Sequence, residues 1–178
     1  MSDRSEFAEA LFGRGSHRAP AAGRGWPEAA RGDGHEPDAD QAACAAFGYL
    51  RGLQDRALAV EFRWRTGNAE WFAYSCLVGW RFNPSVGLLL KFTADVTTLV
   101  LIRGSNLDVP VKETVNLTDR GLQRHRILWV REMDQDELRQ AGEAEPTVDG
   151  IEVAEFQTAE GQQEWLKKRA PAFVRPPG

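Results

Sequence analysis

Long apolar runs are missing from this chain of 178 residues. No window approaches the ~18 consecutive apolar residues that a membrane-crossing helix needs. The first twenty residues carry Asp3, Glu6 and Glu9 where a secretory leader would place basic residues and an apolar stretch. A cytoplasmic protein without membrane contact is the expectation. Cysteine is scarce too, with Cys44 and Cys76 the whole complement. Two thiols make no disulfide framework, so both are expected reduced, and the sequon Asn116-Leu117-Thr118 then carries no meaning. Histidine is sparse in the segment expected to fold, where His125 stands without the ligand spacing of a metal site. The one nucleophile pair on offer is Cys76 with His125, set against Cys76 as a small buried residue. The linker glycines neither follow a strand nor precede Lys-Ser or Lys-Thr, which excludes a phosphate-binding loop. No enzyme, no metal and no cofactor are expected.

Charge, by contrast, is plentiful and unevenly spread. The net charge is −4, yet residues 1–50 hold 5 Lys/Arg against 8 Asp/Glu, residues 51–131 hold 12 against 7, and residues 132–178 hold 5 against 11. The middle is thus +5 between acidic flanks of −3 and −6. Such segregation reads either as a basic binding face with acidic tails or as ordinary solvated surface.

Periodicity divides the chain into three parts. Residues 1–39 are expected as a disordered arm and linker: Gly13 to Asp38 holds six glycines and three prolines, with Trp26 its one large apolar residue. Before it, "SEFAEALF" sets Phe7, Leu11 and Phe12 on one side, either a docking peptide or a frayed end. Residues 40–133 are expected as a helix plus a small β-barrel. Asp40 is placed as N-cap, with Ala43, Phe47, Leu50 and Leu53 at helical spacing weakened by Gly48 and Gly52. From Ala57 the period becomes alternating. Leu58, Val60, Phe62 and Trp64 share one face, and Thr66-Gly67-Asn68 closes a hairpin whose return strand bends near Ser75 or Gly79. "GLLLKFT" and "VTTLVLIRG" predict a second hairpin, and "RILWVREM" a fifth strand. Five strands in some 75 residues predict a twisted sheet closing on itself. Residues 134–178 are expected as an appendage of helix (134–142), strand (150–156) and helix with Thr158 as N-cap. The fold class is mainly β.

Residues 99–108, "LVLIRGSNLD", resemble the second signature of Sm and Sm-like proteins: an apolar strand, Ile-Arg-Gly, a polar residue, Asn and an apolar residue. That resemblance implies a helix followed by a five-stranded barrel of SH3-like type. It also implies that Arg103, Gly104 and Asn106 lie in a loop contacting single-stranded RNA. Gly87 stands where the family carries its RNA-contacting asparagine. "YLRG", "NPSVGLLLKF", "LIRGSNL" and "LTDRGLQRHR" together resemble a group of uncharacterised bacterial proteins, which implies no activity.

For Arg103 the chemistry leaves two uses: a guanidinium that stacks on or hydrogen-bonds a base, or an ion pair with a carboxylate such as Asp108 while Gly104 takes a positive φ. Arg124, His125 and Arg126 form a second basic cluster. Trp64, Trp71, Trp80 and Trp129 are stacking platforms or, at alternating apolar positions, core. Two functions follow. The first is a non-catalytic interaction or scaffold module engaging a protein partner or a second copy of itself. The alternative is an Sm-like binder of single-stranded RNA using Arg103, Gly104, Asn106, Arg124, His125 and Arg126.

Overall fold

A computed structural model of the chain describes residues 40–174, which belong to one compact unit, Glu36–Gly178. The expected arm and its Phe7, Leu11 and Phe12 face lie outside the described residues.

The described chain is mainly β. Nine strands run in the order β1 (Gln41–Ala43), β2 (Phe47–Leu50), β3 (Ala59–Arg63), β4 (Ala69–Ala73), β5 (Leu77–Asn83), β6 (Gly87–Thr93), β7 (Thr97–Arg103), β8 (Ile127–Arg131) and β9 (Gly150–Phe156). Two helices follow the eighth and ninth strands, α1 (Gln135–Gln140) and α2 (Ala159–Arg169). The strands make two sheets: sheet A in the order β1-β2-β8-β3-β4 and sheet B in the order β5-β6-β7-β9.

The expected closed barrel is therefore not found, and the reason lies at Tyr74–Cys76. There a single 3-10 turn interrupts the long aromatic return strand and sends its two halves into different sheets. The Ser75 bend was legible; its consequence was not. Sheet A is completed instead by β8, which lies between β2 and β3, antiparallel to one and parallel to the other.

The helix expected to start at Asp40 and to carry Ala43, Phe47, Leu50 and Leu53 is likewise replaced, by the short hairpin of β1 and β2. Ala46, Phe47 and Tyr49 are all buried. A strand flanked on both sides, with a bulge between Gly48 and Tyr49, hides Phe47 and Tyr49 where a helix carrying two glycines would not, and Ala46 is buried in the turn just before it. Leu58, assigned by alternation to the buried face, is 90% exposed because the strand begins one residue later.

Packing follows from the pleat. Val60 and Phe62 of sheet A meet Leu88, Leu90, Phe92, Val100 and Ile102 of sheet B in the main core. Strands β6 and β7 are apolar on both faces, so the outward residues Leu89, Leu99 and Leu101 need a second cover. Leu166 of α2, with Ala170 and Phe173 just beyond it, provides that cover. Both C-terminal helices start as the sequence predicts. Asp134 and Glu137 form a capping box on α1, and the Thr158 hydroxyl accepts from the Gly161 amide on α2. Yet β9 pairs with β7 along seven residue pairs, Thr97 with Phe156 through to Arg103 with Gly150. The C-terminal strand and helix are thus part of sheet B and its cover, and not an appendage.

Candidate functional site

The signature loop comes first, because it carried the sharpest expectation. Arg103 ends β7, and its Nε donates to Glu152 Oε1 at 3.1 Å while Nη2 donates to the Arg169 carbonyl at 2.7 Å. Glu152 accepts at the same time from Arg169 Nε at 2.6 Å. Burial pushes the Glu152 carboxyl up, but the hydrogen bonds and charges of Arg169 and Arg103 together hold it below its ordinary value. The carboxylate partner is Glu152, not Asp108. Gly104 does not take a positive φ. Its role is close approach: a Cβ there would run into the Thr147 carbonyl oxygen. Asn106 is the left-handed residue, at φ 56°. Its amide donates to the carbonyls of Glu143 at 2.9 Å and Glu145 at 3.1 Å. Ser105 and Thr147 add a pair of bonds between their segments, each backbone amide donating once. The ten-residue signature therefore works as a clasp that fixes the C-terminal third of the chain to the end of β7.

The "RHR" cluster is separated rather than assembled. Arg126 is 1% exposed, and its guanidinium donates to the carbonyls of Leu50 and Arg51 at 2.7–3.1 Å. Burial, with Arg124 and Arg56 nearby, pulls its pKa below the ordinary value. His125 takes a left-handed conformation and stacks on Tyr74, ring centroids 4.5 Å apart. Burial raises the Tyr74 phenol, whose hydroxyl donates to the Ile127 carbonyl. Arg124 alone of the three is exposed. Asn116 of the sequon is buried with its amide donating to Asp108 and Asp119, so it is a structural residue. Gly87, at the position of the family's asparagine, has φ 122° and a neighbouring carbonyl at Ile102 that leaves no room for a side chain.

The four tryptophans divide. Trp64 and Trp80 pack against the main core, and the Trp64 indole donates to the Ile151 carbonyl at 2.8 Å. Trp71 and Trp129 point the other way, onto the outer face of sheet A, because each is paired with Glu61 in a row across three strands. Trp129 lies against Gly48 and under the Arg63 guanidinium, 4.8 Å from the ring centroid. Trp71 is 64% exposed. Around it the outward positions Ala59, Ala69 and Ala73 are small, which leaves the indole standing above a flat surface. At one end of this face a recess of about 280 Å³ is lined by Arg63, Arg65, Arg131, Glu132, Asp134 and Glu137. Arg131 pairs with Glu137, Arg65 with Glu132 and Arg63 with Glu61. Arg131 holds the Glu137 carboxyl below its ordinary value.

Among the described residues no cluster of His, Cys, Asp and Glu is arranged to hold a metal ion. No helix among them is long and apolar enough to cross a membrane. The exposed Trp71 has a weak trace in the sequence: in "AEWFA" the alternation must bury either the indole or Phe72, and Phe72 wins through its contacts with Phe62 and Phe92. Compared with known proteins, the chain matches no family model, no curated protein and no solved structure.

Proposed function

We propose that this protein is a non-catalytic interaction module whose contact face is the outer surface of sheet A, and that its first partner there is a second copy of itself. The supporting observation is Trp71: a large indole 64% exposed in the middle of a strand, on the same face as an arginine-capped second tryptophan two strands away. Tryptophan and arginine are the side chains that dominate binding energy when an interface closes over them. The face carries Arg63, Arg65 and Arg131 against Glu61, Glu132 and Glu137, each cation already paired. A charge-balanced surface has no single-sign field to select an oppositely charged partner, and it suits the self-complementary contact of a two-fold dimer.

The RNA reading has less to stand on, since the donors of Arg103, Asn106 and Arg126 bind the chain's own carbonyls and carboxylates. The test is sedimentation velocity over a concentration series with Trp71→Arg alongside. A concentration-dependent dimer that the variant loses supports the proposal. A monomer at every concentration overturns self-association, and salt-sensitive binding of a labelled U- and A-rich RNA abolished by Arg124→Ala would restore the alternative.

A further inference from the structure

The cover on sheet B is incomplete, and the gap has a definite chemistry. In the row that runs across β5, β6 and β7, Gly79 is paired with Lys91, and Lys91 with Leu99, all three on the face that α2 overlies. Leu99 belongs to the cluster under the helix. Gly79 puts no side chain into this row, and a Cβ built there would meet nothing within 4 Å. The bulge between Leu77 and Gly79 turns Val78 outward, where it is 60% exposed. The result is a cleft of about 280 Å³ between β5 and α2, floored by Leu89, Leu99 and Leu166 and flanked by Arg81, Lys91 and Gln162.

Two cations reach this cleft, whose lining mixes apolar and polar groups. Lys91 is half-buried, and among the described residues its ammonium has neither a hydrogen bond nor an ion pair. It is a charge inside an otherwise apolar strand, "GLLLKFT", where burial without a counter-ion is unfavourable. Arg81 is held by donating Nη1 to the Phe173 carbonyl, which fixes the guanidinium at the cleft with its remaining donors unengaged among the described residues. On the same outer face of sheet B, the β9 carboxylate Glu152 is committed to Arg103 and Arg169.

We infer that the cleft between β5 and α2 binds a small monocarboxylate with a short apolar chain, its carboxylate on Lys91 and Arg81 and its chain on Leu89, Leu99 and Leu166. A cavity of about 280 Å³ sits at the small end of ligand sites, which run to roughly 1,000 Å³. That size suits a single short chain and not a two-chain lipid. The site lies on the opposite sheet from Trp71 and stands or falls independently of self-association.

Octanoate is the probe, with octanol as its uncharged counterpart and a leucine-containing tripeptide bearing a free carboxyl terminus as the alternative source of the same chemistry. Binding is read by isothermal titration calorimetry. Octanoate is expected to bind with a Kd on the order of 0.1–1 mM, and octanol more weakly. Lys91→Met keeps the stem, removes the charge and is expected to weaken octanoate by about tenfold while leaving octanol unchanged. Gly79→Leu fills the cleft from a position with open space and no left-handed strain, and is expected to abolish both. Thermal unfolding of both variants at the wild-type midpoint separates loss of the site from loss of the fold. Equal binding of octanol and octanoate, an unchanged affinity in Lys91→Met, or no binding of octanoate overturns the assignment. Tighter binding of the tripeptide than of octanoate overturns the small-ligand assignment in favour of a peptide terminus.

Discussion

The outer faces of the two sheets answer the same problem in opposite ways. On sheet B the outward residues of β6 and β7 include Leu89, Leu99 and Leu101, and the chain returns with α2 to bury them. On sheet A the outward residues of β3 and β4 are Ala59, Glu61, Arg63, Ala69, Trp71 and Ala73, and neither apolar cluster extends over them among the described residues. Alanines and paired charges tolerate water, so that face needs no lid. Trp71 is the exception on this face, and the proposed contact rests on its exposed indole.

The comparison can be broken most strongly from the covered side. Leu166→Ala removes the central contact between α2 and sheet B and is expected to cost about 3 kcal/mol in urea unfolding. Glu152→Gln loosens the clasp at Arg103 and Arg169 without touching the apolar cover, with an expected loss of about 1–2 kcal/mol.

The same substitution has a pH signature. A carboxyl whose folded pKa lies below its unfolded value stabilises the fold fully above the unfolded value and loses that contribution as pH falls through the folded one. Glu152, Glu137 and Asp119 are all held down in this sense, Asp119 chiefly by the Asn116 amide. Glu70, raised by burial and by Glu155, works the other way, favouring the fold as it protonates. Stability is therefore expected to fall below about pH 4, and Glu152→Gln to flatten that fall, as read from urea midpoints across pH 2–6.

On the open side the effects on folding shrink. Trp71→Ala is expected to move monomer stability by no more than about 0.5 kcal/mol while abolishing association in sedimentation. Leu58→Ser should change neither quantity, since an exposed leucine beside the same face lacks the indole's contact area, and differential scanning calorimetry with sedimentation checks it.

Much of this architecture was legible where side-chain alternation and capping act locally. The β3–β4 hairpin, the bend at Ser75, the second hairpin, β8, β9 and both C-terminal helices all announce themselves in a few consecutive residues. What was not legible depends on distant partners. Nothing near Phe47 says that β8 will lie beside it, and without that partner Ala43, Phe47 and Leu50 read as a helix face. The signature misled for the same reason: Arg103 and Asn106 look like free donors until Glu152, Arg169, Glu143 and Glu145 arrive from 37 to 66 residues away. Lys91 left a usable trace, a lone charge between Leu90 and Phe92, but its lack of a partner among the described residues is a property of three dimensions alone.

The position of β8 has a consequence for biosynthesis. Because β8 lies between β2 and β3, and Glu61 pairs with Trp129, sheet A stays split in two until residue 131 has left the ribosome. Sheet B waits longer, for β9. The hairpins β3–β4 and β6–β7 can form early, but each shows an unpaired flank to the cell until a strand made much later arrives. Topologies dominated by such late, long-range pairings fold slowly. The time between the synthesis of Phe62 and that of Phe156 is when this chain is most exposed to pairing with its neighbours.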